Sequence, residues 1–232
     1  MRKIITYLLL FLLAIACTDN KSNDAPQIDY GYAYFPLHQG YTWIDEVTHI
    51  NIDSPSEVYD TINYAVKTVV DSVATYPEYE KFYCTRYRKS SNAQWVLEHV
   101  FWFERYEKKL LRFDQNEVWL DMVFPLYESL SWNPFAYNVY SDTSARNTVY
   151  RKDIFNMING EPYDSTLVIH HQMDSTLVYK YTDRSFYGSG VGFLYRESVN
   201  IISDDPNYDY TLPIEERIKT ATIILTKRNY ND

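Results

Sequence analysis

The chain has 232 residues, a formal net charge of −9 at pH 7, 46% hydrophobic residues and 24 tyrosines. The acidic balance excludes a nucleic-acid-binding protein, because the phosphate backbone requires a basic protein face. The hydrophobic content is sufficient for a packed core. Only two cysteines occur, and one of them is the predicted acylation site directly after the leader described next, so no disulfide within the chain is predicted.

Residues 1–16 have the pattern of a secretory signal peptide. A positive pair at 2–3 precedes a mainly apolar run over 4–13, which is shorter than the roughly 20 residues of a membrane-spanning helix. The sequence AIAC at 14–17 resembles the bacterial lipobox, which implies that Cys17 becomes the acylated N-terminus. The alternative is an ordinary cleaved signal peptide followed by a chance cysteine.

Residues 17–27 are polar and lack apolar periodicity, which predicts a flexible tether. Acyl chains on Cys17, at about 0.8 kcal/mol per buried CH₂, would hold the protein on a membrane. The predicted location is therefore the cell envelope, and more specifically the outer membrane. Loss of the two basic leader residues leaves 20 basic against 31 acidic residues, a charge near −11 for the mature protein.

Residues 28–232 are predicted to form a β-rich domain, either as one unit or as two packed halves with a boundary near residue 124. Alternation of period two over 61–70 and 95–103 is typical of half-buried antiparallel strands. Further strands are predicted over 79–88, 109–113, 117–123, 148–154 and 218–227. We expect an all-β, antiparallel fold of one or more strongly curved sheets, either a sandwich or a half-barrel, with little helix beyond the signal peptide.

Two segments of the domain share a pattern. The tripeptide Phe-Pro-Leu at 35–37 is followed after five residues by Trp43, and the same tripeptide at 124–126 is followed after five residues by Trp132. Within the first copy, Gly40 can adopt a positive φ. A glycine-rich stretch at 188–192 is predicted to be a sharp bend before another strand.

These motifs, in this order, resemble those of a loose group of exported proteins of the Bacteroidetes type, with FPLxxGxxW-like and GxGxL-like signatures. The chain departs from the group's pattern at His38 and Gln39, which replace Lys-Val, and at Ser129, which replaces a glycine in the second copy. The resemblance implies an exported, β-rich fold and assigns no site residue.

Two groups of residues are candidates for metal binding. His170 and His171 are adjacent, but neighbouring side chains of a strand point to opposite faces, so they cannot share a metal without a bulge. Asp204, Asp205 and Asp209 offer oxygens in a turn-rich loop, without the spacing of a calcium loop. We therefore predict no metal site.

Aromatic residues on predicted strands are the candidates for ligand binding. They would form either an exposed platform or a lined cavity, or they belong to the core and to amphipathic surface positions. The candidates are Trp95, Trp102, Trp119, Tyr179 and Tyr181. His99 is predicted to be a hydrogen-bonded core histidine, and Cys84 a buried, inert thiol.

No nucleophile motif or phosphate loop occurs, so no catalytic residue and no cofactor are predicted. Three functions remain open. The first is a non-enzymatic binding or accessory lipoprotein that contacts an envelope protein or a glycan. The second is a lipid or lipoprotein carrier with an apolar concavity. The third is a glycan-acting hydrolase, for which Glu98, Glu104 and Asp121 lie near aromatic residues without marking a pair.

Overall fold

The structure is a computed structural model that describes residues 28–90, 93–139 and 142–229. The predicted signal peptide, the tether and Cys17 lie outside these residues. The strands are β1 (Thr42–Asp53), β2 (Val58–Thr75), β3 (Tyr79–Ser90), β4 (Val96–Tyr106), β5 (Lys109–Asp114), β6 (Glu117–Val123), β7 (Ser131–Trp132), β8 (Asn147–Ile158), β9 (Glu161–Ser175), β10 (Tyr179–Gly188), β11 (Gly192–Ile202) and β12 (Thr220–Asn229).

A single antiparallel sheet contains these strands in the order β6-β5-β4-β3-β2-β1-β12-β11-β10-β9-β8-β7. It consists of two meanders, β1–β6 and β7–β12, joined where β1 pairs with β12. The two edge strands approach each other, because Trp132 Nε1 and the Pro134 carbonyl each hydrogen-bond to the backbone of Leu120 at 2.8 Å. The sheet is therefore nearly closed, and the prediction of an all-β, strongly curved antiparallel fold is confirmed.

Alternation along the strands separates an inner from an outer face. In β3, Phe82 and Cys84 are 1% exposed, whereas Tyr83 between them is 39% exposed. Every predicted strand overlaps an observed one, although residues 95, 218 and 219 lie outside β4 and β12. The only helical segments in the described part of the chain are two short 3₁₀ turns, Tyr32–Tyr34 and Ile214–Glu216, and neither is long or apolar enough to cross a membrane.

The inner face has a closed end and an open end. Segment 28–41 crosses the closed end beneath the turns β4–β5 and β10–β11. There the Tyr32 hydroxyl donates to the Glu107 carbonyl at 2.6 Å, and Gly190 N donates to the Ala33 carbonyl at 2.8 Å. The turns at 54–57, 115–116 and 176–178 lie at the opposite, open end.

The apolar core lies above segment 28–41 and draws on both meanders. It contains Val70, Phe103 and Leu110 from the first meander and Val149 and Leu167 from the second. Each meander begins with one of the two Phe-Pro-Leu segments. Whether the two halves are separate units with a boundary near residue 124 stays a prediction.

Candidate functional site

A cavity of about 960 Å³ lies inside the curved sheet, between the apolar core and the open end. Sites for small molecules in proteins commonly measure about 300–1,000 Å³. The side of the cavity nearest the core is lined by aromatic rings, which we call the aromatic floor. It consists of Phe35, Trp43, Phe101, Phe103, Tyr187 and Phe193.

A ring of ion pairs lies next to the aromatic floor, on the side nearer the open end. The four arginines Arg86, Arg112, Arg196 and Arg228, each bonded to an aspartate, form what we call the arginine belt. Its position follows from strand alternation, because the inward position after a floor residue lies one step nearer the open end. In β1, for example, Trp43 of the floor is followed by Asp45, which binds Arg228 of β12.

Two arginines of the belt are held by both oxygens of one carboxylate. Arg196 donates from Nε and Nη2 to Asp183 at 2.8 and 2.7 Å, and Arg228 donates from Nε and Nη2 to Asp45 at 2.9 and 3.3 Å. Two parallel hydrogen bonds fix the plane of a guanidinium group as well as its position. Burial lowers the pKa of Arg196, but the hydrogen bond to Asp183 and the charge of Asp183 raise it, and the net shift is upward.

The other two arginines share one buried carboxylate. Arg112 Nη1 lies 2.9 Å from Asp114, which Arg86 Nη1 approaches to 3.4 Å and His99 Nε2 to 2.9 Å. Burial opposes the charge of Arg112, but Asp121 and Asp114 outweigh it and raise its pKa. For Arg86 burial is the larger influence and lowers the pKa. The prediction of a partnered histidine at position 99 is correct, and its partner is a carboxylate.

Rings of the aromatic floor make cation–π contacts with two guanidinium groups of the arginine belt. Arg228 Cζ lies 5.1 Å from the ring centroids of both Trp43 and Phe193, and Arg86 Cζ lies 4.6 Å from that of Phe101. Each cation–π contact of this kind contributes roughly 0.5–2 kcal/mol, more when water is excluded. The aromatic floor and the arginine belt therefore form one continuous lining.

The belt leaves hydrogen-bond donors unused. Among the described residues, no acceptor contacts Nη1 of Arg196, Nη1 of Arg228 or Nη2 of Arg112. Both oxygens of Asp183 and both oxygens of Asp45 are occupied by arginine. The lining therefore offers N–H groups to a ligand while its nearest acceptors are engaged.

A β-bulge lies at the two adjacent histidines. Asp183 of β10 pairs with Gln172 and the next residue, Arg184, pairs with His170, so His171 is the extra residue of β9. A bulge re-aims side chains locally. His171 faces the cavity, where it contacts Asn147 and Ser185, whereas His170 stacks on the exposed Tyr150, so the two rings lie on opposite faces, as expected.

His171 is held by two polar side chains. Its Nε2 lies 2.8 Å from Ser185 Oγ, and its Nδ1 lies 2.9 Å from Asn147 Oδ1. Burial lowers the pKa of His171 to about 4, so the ring is neutral at pH 7. The arrangement is that of a Ser-His-Asn triad, but Ser185 lies within β10 and pairs on both sides, with Ile169 and Arg196. Since the sheet uses the backbone N–H groups there, no backbone oxyanion site accompanies the serine.

The acidic residues considered for a hydrolase do not form a free pair. Asp121 lines the cavity and accepts a bond from Arg112 at 3.0 Å. Glu98 is paired with Arg88 and Glu104 with Lys81, and neither glutamate lines the cavity. A glycoside hydrolase needs one protonated and one ionised carboxyl group facing a common bond. The cavity does not present that combination among the described residues.

Two of the five predicted aromatic candidates line the cavity. Trp119 lies beside the belt, with Arg112 Cζ 5.2 Å from its ring and Phe135 at 4.7 Å. Tyr181 of β10 lines the cavity one inward step beyond Asp183. Tyr179 lies a further step towards the open end and does not line it.

The other two candidates are covered on the outer surface. Trp102 stacks on Phe113 with ring centroids 5.0 Å apart, and Lys81 Nζ lies 4.3 Å from the Trp102 ring. Trp95 lies beneath Lys67 Nζ at 5.0 Å. These contacts occupy the faces that an exposed aromatic platform would offer to a ligand.

The remaining chemical candidates have structural roles. Cys84 is 1% exposed, and burial raises the pKa of its thiol to about 12, as the prediction of an inert thiol requires. Asp205 and Asp209 each accept the backbone N–H two residues ahead, and Asp204 pairs with Lys219 at 2.9 Å. Within the described ranges, no three side chains suited to a metal ion come together.

Fold and cavity together define a nearly closed antiparallel β protein with a polar, ion-paired interior above an aromatic floor. No protein-family model and no curated protein matches the sequence. A Bacteroides fragilis protein described as exported, with a YmcC-like fold, is similar in structure. The TM-score is 0.39 and the sequence identity is 7%, and the alignment covers 85% of this chain and 98% of that chain. A Parabacteroides distasonis protein described as a lipoprotein has a TM-score of 0.37, 12% identity and coverage of 84% and 98%. Likenesses at this level transfer no residue role.

Proposed function

We propose that this protein is an exported lipoprotein, anchored at Cys17 in the outer membrane, that binds a small amphipathic molecule in its interior cavity without changing it chemically. The observation that carries the proposal is the pairing of an aromatic floor with unused N–H donors in one cavity of about 960 Å³. An apolar surface with a few fixed polar groups is the usual composition of a small-molecule site.

The geometry at the N-terminus supports an anchored orientation. The described fold begins at Ile28, and the segment that follows crosses the closed end. Ten tether residues, 18–27, span at most about 36 Å when extended. In this proposal the closed end faces the membrane and the open end faces away from it.

The cavity favours this function over the others considered. A carrier of a purely apolar chain has no use for four ion-paired arginines along its cavity, because removing charged groups from water costs free energy. A surface platform for a glycan or an envelope protein lacks support, since Lys81 and Phe113 cover Trp102. An amphipathic ligand matches both parts of the lining.

Native mass spectrometry of the soluble Cys17→Ala form, purified gently from its own periplasm, tests binding. We expect a co-purifying mass that is lost in Thr226→Trp, which fills the cavity, and kept in Lys227→Trp, which places the same ring on the outer face of the same strand. Bare protein in all three preparations would contradict the proposal.

The anchor is tested separately by comparing the natural protein with Cys17→Ser. We expect the natural protein in the outer-membrane fraction, carrying metabolically incorporated palmitate, and the variant without label in the soluble fraction. Equal fractionation of both proteins would contradict anchoring at Cys17 and would leave the cavity's role unaffected.

A further inference from the structure

We propose that the ligand of the cavity carries an anionic head group, a carboxylate or a phosphate, and that Arg196 and Arg228 bind this group through their free terminal amino groups. The inference rests on the proposed function and specifies its ligand. It concerns only the polar end of the ligand, whereas the apolar part lies on the aromatic floor.

The guanidinium group of Arg196 is fixed on one edge and has its other edge available to a ligand. Asp183 occupies its Nε and Nη2, which leaves the Nη1 edge of the guanidinium plane free. Its side chain is 46% exposed, yet burial is the largest influence on its pKa. Both facts are consistent with an uncovered surface that faces the cavity, which Arg196 lines.

Arg228 lies near the same point of the cavity. Its side chain is only 7% exposed, it is fixed by Asp45, and its Nη1 has no acceptor among the described residues. Arg196 pairs with Thr226 across β11 and β12, so Arg228, two residues further along the same face of β12, is a diagonal neighbour of Arg196 within reach of long side chains. One head group can therefore receive N–H bonds from both.

The free donors of the lining agree with an anion. Five arginines line the cavity against four aspartates, and Asp114, which pairs with Arg86 and Arg112, balances the fifth arginine, so the charges cancel while arginine N–H groups stay free. No lysine of the described part of the chain lines it. Arginine presents a rigid planar fork that matches the oxygens of carboxylate and phosphate. A cationic head group beside Arg196 and Arg228 would meet Asp183 and Asp45, whose oxygens are already bonded to arginine.

The experiment compares probes that share one apolar tail. Dodecanoate, dodecyl phosphate and the uncharged methyl dodecanoate are titrated below their aggregation limits into the soluble Cys17→Ala form after lipid removal, by calorimetry or native mass spectrometry. We expect at least one anionic probe to bind roughly 10- to 100-fold more tightly than the ester, the range expected for a charged hydrogen bond. The tighter of the two anions identifies the head group.

Variants then locate the head group. Arg196→Gln should remove most of the preference for the anion and leave affinity for the ester unchanged. Arg184→Gln is the matched control, because Arg184 is the neighbouring arginine on β10, does not line the cavity and pairs with Glu197 at 2.6 Å. If Arg196→Gln does not fold because Asp183 is left buried and alone, the double change Asp183→Asn with Arg196→Gln removes both charges together.

The outcomes separate this inference from the function on which it rests. Equal affinity for ester and anions, together with a co-purifying ligand, would overturn the anionic head group and leave the binding function in place. An anionic preference that persists in Arg196→Gln, or in the double variant where that is needed, would also overturn it. Absence of a co-purifying ligand and of binding by every probe would overturn both proposals.

Discussion

Ser129 holds in the second half of the chain the position that Gly40 holds in the first. Their φ angles are +69° and +79°. Gly40 N donates to the Val70 carbonyl at 2.9 Å, and Ser129 N donates to the Val149 carbonyl at 2.8 Å. The residue after each one accepts the reverse bond from that same valine, at 2.9 Å in both copies. The two Phe-Pro-Leu segments therefore start their meanders with the same backbone geometry.

Ser129→Gly should stabilise the protein. A side chain in the left-handed region costs roughly 1 kcal/mol, which glycine avoids, although part of the gain is lost to the greater freedom of the unfolded chain. Gly40→Ala should destabilise by about 1 kcal/mol. Denaturant midpoints of both variants check this pair. If Ser129→Gly were less stable, the serine side chain would contribute more to the free energy of unfolding than its left-handed backbone conformation costs.

Arg228→Met should destabilise the fold by about 3–5 kcal/mol, because it leaves the Asp45 carboxylate without its partner inside the cavity. The control is Arg151→Met, whose pair with Glu128 is about half exposed on both sides and should cost no more than about 1 kcal/mol. Urea denaturation measures both changes. Similar small effects would mean that water reaches Asp45 freely.

Stability should fall in mild acid through His171. Its pKa is about 4 in the folded protein against 6.5 when unfolded, so the unfolded chain binds the extra proton first. The stabilisation is fully present above pH 6.5 and is lost as pH falls to about 4, amounting to about 3 kcal/mol. Chemical denaturation between pH 7 and pH 4 should show a shallower decline in His171→Gln. Parallel declines would exclude His171 as the cause.

Cys84 should resist alkylation in the folded protein. Its thiol is 1% exposed and burial raises its pKa to about 12, so little thiolate exists at pH 8. In the Cys17→Ala form, where it is the remaining cysteine, iodoacetamide should label it only after urea is added. Intact mass measures the labelling. Rapid modification without urea would mean that β3 opens readily in the native state.

The strands could be predicted from sequence because alternation is a local signal. Phe82 and Cys84 share the inner face of β3 with Arg86, so the same alternation that marks the core also carries the arginine inward. The aspartates that pair with the arginine belt cannot be predicted from local sequence. Arg228 and Asp45 are 183 residues apart, and only the closing pair of β1 and β12 brings them together.

The bulge at His171 was missed for a related reason. A strand with one extra residue has the same sequence pattern as a regular one, and the difference arises only when β10 pairs with it. The end of β9 at Ser175 and the turn at 176–178 are likewise set by the pairing of β9 with β10. Register between strands decides both features.

Segment 28–41 has a practical consequence for any shortened form of the protein. Phe35 belongs to the aromatic floor, and the Tyr34 hydroxyl is bonded to Asp153 at 2.6 Å and to Ser165 at 2.7 Å. A shortened protein that begins after residue 37 would lack Tyr34 and Leu37 of the core and Phe35 of the aromatic floor. Recombinant expression should therefore start no later than Ile28, so that the whole segment that supplies Tyr34 and Leu37 to the core and Phe35 to the cavity is kept.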